Sequence, residues 1–261
     1  MKLPHRSHVV SSFTVIKGAM IEETYAVFAK WDFAISKREN LDRLRRENFI
    51  GAKTTTWLRD VAKVLNRRFD PNVRDRPLVL LAKSGCQIDE WKPLLLWHIT
   101  RDEFLLRDFL IGCLFPAFAA GTYCIRTDDL YAYLRSIGER GGTTEHKWSE
   151  TTLHRVATAL LKMAVDFGLL RGSVVKEFVS YYLPERSFLY LLHAMREEMH
   201  SPSKVLESPD WRMFLMTPAD VERELLVLHQ YRKLDYHVAG SIVELTLPCA
   251  STCEYAERMV A

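Results

Sequence analysis

Residues 53–69, KTTTWLRDVAKVLNRRF, constrain the fold more than any other stretch, because at 100° per residue they separate into two faces. Trp57, Leu58, Val61, Ala62, Val64, Leu65 and Phe69 fall on one side, which predicts an amphipathic helix packed on a core. The opposite arc, about 120° wide, carries Thr55, Thr56, Arg59, Lys63, Asn66 and Arg67. All of these can donate hydrogen bonds, and none is an acid. Such a face suits a helix lying in a DNA groove, where Arg and Lys meet phosphate or guanine, Asn meets adenine and Thr meets backbone or base. A merely solvated face is the alternative, and it ordinarily mixes both signs of charge.

The preceding residues extend the motif. Residues 36–48, SKRENLDRLRREN, read as a shorter helix with Leu41 and Leu44 inward, and residues 48–52 make a brief break containing Gly51. A helix, a short glycine-containing turn and a longer polar-faced helix is the helix-turn-helix order. Between Lys37 and Arg68 there are ten Lys and Arg against four acids, a local charge of +6, whereas the whole chain carries only +3. The positive charge therefore belongs to this element and not to the protein at large.

With 261 residues, 48% apolar and 26% charged, the chain has the make-up of a globular protein able to bury a substantial core. Five cysteines, Cys86, Cys113, Cys124, Cys249 and Cys253, are odd in number and show no C-x-x-C spacing, which predicts reduced thiols in a cytoplasmic protein and no metal site. The first twenty residues have no sustained apolar run, so no signal peptide is expected. Seventeen uncharged residues, 109–125, fall short of a membrane span and contain Gly112, Pro116 and Gly121, so they are expected to form a buried core helix ending near Ala120.

Three modules are expected: 1–76, a helical module with the helix-turn-helix; 77–200, a central core; and 201–261, a helix and hairpin. A first helix is expected over 13–31, a linker or long turn over 70–77, and two or three core helices over 78–120, broken near Gly85 and Thr100. The two-helix pattern then recurs as a short helix over 128–137, a glycine-rich connection and a long helix over 149–167, with Ser149 as N-cap. The inner face of the long helix is Leu153, Val156, Ala157, Leu160, Met163, Ala164 and Phe167; outside lie Thr151, His154, Arg155, Thr158 and Lys162. Residues 169–183 then predict a hairpin turning at Gly172-Ser173, the winged-helix layout, which serves either DNA contact or packing. Residues 218–233 and 234–248 predict a third helix followed by a strand pair turning near Gly240-Ser241. Asp220, Glu222, Glu224 and Glu244 make this acidic part better suited to packing or partner docking than to DNA.

Catalytic signatures are lacking. GAKTTT has no glycine four residues ahead to complete a phosphate cradle, and G-x-S-x-G, H-E-x-x-H and the dinucleotide fingerprint do not occur. The nearest enzyme-like pattern, Asp75 with Glu90-Trp91-Lys92, needs carboxylates converging on a metal from adjacent strand positions, whereas these fall in a turn and a helix.

Four runs carry a family resemblance: residues 47–69, residues 101–118 (RDEFLLRDFLIGCLFPAF), residues 149–170 (SETTLHRVATALLKMAVDFGLL) and residues 239–248 (AGSIVELTLP). With the order of elements, they make the chain resemble the BrxA family of bacteriophage-exclusion (BREX) defence operons. The resemblance implies a mainly α-helical protein, in part similar to NusB-class nucleic-acid-binding proteins, that binds double-stranded DNA without catalysis. The other BREX subunits would supply methylation and ATPase activity. The expectation is a mainly α, multi-helix protein with helix-turn-helix and winged-helix elements and short β-hairpin wings. It would bind duplex DNA through Lys53, Thr55, Thr56, Arg59, Lys63, Asn66 and Arg67, with Arg155, Lys162, Arg171 and Lys176 as a second surface. Other BREX proteins are expected partners, with no membrane, small-molecule substrate, cofactor, metal or catalytic residue. The alternatives are a NusB-like RNA-binding factor and a scaffold that docks other BREX subunits.

Overall fold

The computed structural model describes residues 8–144, 147–240 and 242–260. They form a mainly helical protein with two small antiparallel sheets.

The expected helix over 13–31 is two helices, α1 (Ser12–Ile16) and α2 (Ile21–Ala29). Between them Gly18 and Met20 both take positive φ, 82° and 52°, a left-handed backbone that ends one helix and redirects the next. The periodicity of the apolar residues continued across this break and hid it.

Helix α3 (Lys37–Glu47) begins with a reciprocal capping box between Ser36 and Glu39. It ends at Asn48, which is left-handed and whose side-chain amide both donates to and accepts from the backbone of Ala52. With Gly51 at φ 64°, this sets the tight turn into α4 (Thr55–Arg68), which starts two residues later than the expected run because Thr54 is the N-cap. The Thr54 hydroxyl accepts the Trp57 N–H at 3.1 Å, so Lys53 precedes the helix.

Helices α5 (Arg76–Lys83) and α6 (Ile88–Ile99) follow the turn at 70–75, with the expected breaks near Gly85 and Thr100. The 109–125 segment is not one buried helix. Helix α7 (Phe104–Phe109) passes through a π-helical stretch, Leu110–Leu114, into α8 (Phe115–Ala119). Phe109, Leu110 and Leu114 are buried, but no residue of α8 is, and burial returns only at Ile125, the end of the uncharged run.

A two-residue strand, β1 (Cys124–Ile125), leads through a 3-10 turn into α9 (Tyr131–Arg135) and then α10 (Glu150–Asp166). Ser149 caps α10 by accepting the Thr152 N–H, and all seven residues of its expected inner face are buried. The hairpin after it is β2 (Leu170–Arg171) and β3 (Lys176–Phe178), ending earlier than the expected Leu183. Gly172 takes φ 102° at the turn, and a Cβ there would lie 2.3 Å from the Val175 carbonyl oxygen, so the hairpin requires glycine. The sheet has the order β1-β3-β2; its first strand was too short to leave a pattern in the sequence.

Helices α11 (Glu185–Met199), α12 (Pro202–Leu206) and α13 (Pro218–Gln230) precede the hairpin of β4 (Asp235–Ala239) and β5 (Ile242–Thr246); Ser241, at the expected turn, lies outside the described residues. Helix α14 (Thr252–Val260) returns to pack on α5 and α11. Trp31, Trp91, Trp97 and Trp211 are all buried in one continuous core. Phe28 meets Trp31, Phe69 and Trp91 edge-on, locking α2 against the end of α4 and against α6.

Candidate nucleic-acid interface

Helix α4 presents the outward arc that its spacing implied. Thr55, Thr56, Arg59, Lys63 and Asn66 are exposed, as is Lys53 ahead of the helix, while Leu58, Val61, Ala62, Val64, Leu65 and Phe69 are buried. Lys53 and Arg59 make no ion pair or hydrogen bond among the described residues. Lys63 leans over Phe13 of α1, its Nζ 4.4 Å from the ring centroid.

The last turn of α4 differs. Arg67 is turned inward, donating to the Val9 carbonyl at 2.8 Å and lying 3.6 Å from Glu103. Arg68 is fully buried, 3.3 Å from Glu103, and donates to the carbonyls of Thr14 and Gly18. Burial pulls the Arg68 guanidinium below its ordinary range, and Glu103 opposes that shift. Lys37 donates to the carbonyls of Asn66 and Phe69, two acceptors that the end of α4 leaves open. Three of the ten cations counted between residues 37 and 68 therefore hold the fold together.

Trp57 packs against the core, as its inner-face position implied, but is only half-buried. It sits at the mouth of an open groove of about 770 Å³ whose other side is α10, with Ile16 to Glu23 between them. Arg155 and His154 of α10 line this groove, and Arg155 makes no ion pair or hydrogen bond among the described residues. A second depression, of about 400 Å³, is lined by Lys53, Thr54, Gly51 and Ile50 and shares Trp57 and Glu23 with the first. The structure thus brings the start of α4 and the outer face of α10 onto one surface, a juxtaposition that no sequence spacing disclosed.

The remaining cations of the second surface are engaged. Lys162 pairs with Asp166 at 2.9 Å, and Arg171 with Glu177 across the hairpin at 3.0 Å. Lys176 donates to the carbonyls of Gly172 and Ser173 within the turn. Lys17, on the groove wall, pairs with Asp60 at 2.6 Å.

Asp75 and Glu90 belong to separate networks. Asp75 is buried and accepts from His98 Nδ1 at 2.6 Å and from Arg74 at 2.9 Å, while His98 Nε2 lies 2.9 Å from the Tyr190 hydroxyl. Burial alone would raise the Asp75 carboxyl, but the hydrogen bonds and charges of His98 and Arg74 more than offset it and hold the group well below its ordinary range. Burial keeps His98 low, against the pull of Asp75. An ionised Asp75 and a neutral His98 assign the proton to Nδ1, so Nε2 accepts from Tyr190. The Asp75 carboxylate and both His98 ring nitrogens are thus engaged inside the protein. Glu90 instead pairs with Arg186 at 3.4 Å.

The five cysteines are free and half-buried; burial raises the thiols of Cys86 and Cys113 to about 11, which makes them poor nucleophiles. No helix among the described residues is long and apolar enough to cross a membrane.

The BrxA family matches residues 11–195, which include α4, α10 and three of the four runs that carry the resemblance. The chain belongs to the BrxA family. Membership implies a role in BREX phage defence, with other BREX proteins as suggested partners. The match ends within α11, so the hairpin of β4 and β5 and the run at 239–248 lie beyond it. No curated protein matches the chain.

Proposed function

We propose that this BrxA-family protein is a non-enzymatic binder of double-stranded DNA that holds the duplex chiefly by its phosphates. In this reading α3 and α4 form a helix-turn-helix, and β1, α9, α10, β2 and β3 form a winged helix. The observation that carries the proposal is the exposed arc of Lys53, Thr55, Thr56, Arg59, Lys63 and Asn66, which holds no acid and shares its surface with Arg155 through Trp57 and Glu23. Cations without intramolecular partners are the ones able to displace condensed counterions on DNA. The β2–β3 hairpin directly after α10, joined by β1 in the order β1-β3-β2, supports a wing, and the Asp75–His98–Tyr190 relay supports a structural role for the cluster that resembles catalytic machinery.

A docking role for the acidic carboxyl-terminal part is a second reading. It is favoured by apolar side chains that α13 and the β4–β5 hairpin leave exposed: Leu226, Val227, Tyr231, Val238 and Ile242.

The test is binding to labelled duplex DNA, duplex RNA and single strands at several salt concentrations. Four exposed cations without an ion pair, Lys53, Arg59, Lys63 and Arg155, predict a slope of log K against log salt of about −3.6 on duplex DNA. Arg59→Glu with Lys63→Glu should lower duplex affinity at least tenfold while leaving the fold intact, since both side chains are exposed. An unchanged affinity would remove α4 from the interface. Preference for RNA would favour the NusB-like alternative.

A further inference from the structure

The end of α13 and the start of β4 bring together His229, Asp235 and His237, one donor atom of each lying within 4.8 Å of the others. We propose that these three side chains form a binding site for a divalent zinc-type cation. The site is independent of the DNA-binding reading and lies beyond the residues that match the family.

The backbone makes the arrangement specific. Asp235 and His237 are two apart on β4 and so project from the same face, while the residue between them, Tyr236, is buried on the other. His229, in the last turn of α13, leans towards that face; its ring centroid is 4.9 Å from that of His237, and its Nδ1 is 4.0 Å from an Asp235 carboxylate oxygen. The Tyr236 N–H donates to this same Nδ1 at 3.3 Å. In the neutral ring that makes Nδ1 the nitrogen with the lone pair, the form a metal requires, and the contact is long enough to yield to a stronger ligand. Donor atoms around tetrahedral zinc stand about 3.4 Å apart. Closing from 4.0–4.8 Å needs only small rotations of Asp235 and His237, which are exposed.

The donor set selects the ion. Two imidazoles and one carboxylate suit zinc and its neighbours in the first transition row, whereas calcium and magnesium take oxygen shells. Glu244 faces His237 across the hairpin and adds negative charge beside the site. Three protein ligands leave one position to water. Bound there, the ion would cross-link the hairpin to α13 in the part of the protein best suited to docking a partner.

Calorimetric titration of the full, reduced chain with zinc chloride should show one saturable site. The double variant His229→Gln, His237→Gln should weaken it at least tenfold with an unchanged circular dichroism spectrum, and Asp235→Asn alone should weaken it measurably. Because Asp235 and His237 are exposed, the single variant Asp235→Asn keeps the test valid if the double variant misfolds. Zinc-edge X-ray absorption should report only nitrogen and oxygen neighbours at about 2.0–2.2 Å. Absence of saturable binding, unaltered affinity in the variants, or a sulfur shell near 2.3 Å that assigns the ion to the cysteines would overturn the proposal.

Discussion

Arg59 and Arg68 stand nine residues apart on one helix and serve opposite ends. The first three turns of α4 point Arg59 and Lys63 outward with no acid to meet them, whereas the last turn spends Arg67 and Arg68 on Glu103 and on the carbonyls of Val9, Thr14 and Gly18. The same contrast separates α4 from α10, whose outward face has the same helical spacing but keeps Arg155 alone without an ion pair, Lys162 being held by Asp166. A count of positive charge along the chain therefore overstates what a polyanion would meet. What matters is which cations the fold leaves without an internal partner.

The largest effect should come from the buried end. Glu103→Ala would leave the Arg68 guanidinium buried without its counter-charge, which costs about 3–5 kcal/mol. Denaturant unfolding should show that loss, whereas Arg59→Ala, at an exposed position, should change stability by less than about 0.5 kcal/mol. Equal and small effects would mean that the two ends of α4 are not different in kind.

Trp57 tests the boundary between them. A fully buried tryptophan loses about 3–5 kcal/mol on truncation to alanine, but Trp57 is only half-buried, and about 1–2 kcal/mol is expected from thermal melting. A loss at the buried value would place its indole deeper than the groove mouth and separate the surfaces of α4 and α10.

Much of this contrast was legible in the sequence, and what was not has a physical reason. A period of 3.6 exposes the inner faces of α4 and α10 and their caps, because burial along a helix is a local, repeating property. The placement of Arg68 was not legible, since its partner Glu103 lies 35 residues away and a lone arginine has no pattern. The same holds for Asp75, His98 and Tyr190, joined across 23 and 92 residues. Strand β1 has two residues, too few for an alternation to register. The left-handed Met20 breaks a helix at a residue type that rarely adopts that backbone, so periodicity ran straight through it. The grouping of His229, Asp235 and His237 was not legible either, since His229 lies on a helix while Asp235 and His237 lie on a strand, and no single-element spacing joins them.

The smallest expected effect gives the finest test of whether α10 shares the work of α4. Asp166→Asn removes the partner that holds Lys162 at 2.9 Å and keeps the size of the side chain. Losing an exposed i,i+4 pair should lower stability by no more than about 0.5 kcal/mol. The freed ammonium borders the groove that carries Arg155. If the duplex lies across that groove, Lys162 becomes an additional phosphate contact, and the salt slope should steepen by about 0.9 with a matching gain in affinity at low salt. Removal of one negative charge anywhere on the surface also aids binding to a polyanion, so Glu207→Gln, far from α10 in sequence and exposed, serves as the control. A gain in Asp166→Asn that exceeds the control extends the interface to α10; equal gains in both confine it to α4, and the free cations of that single helix would then carry the binding.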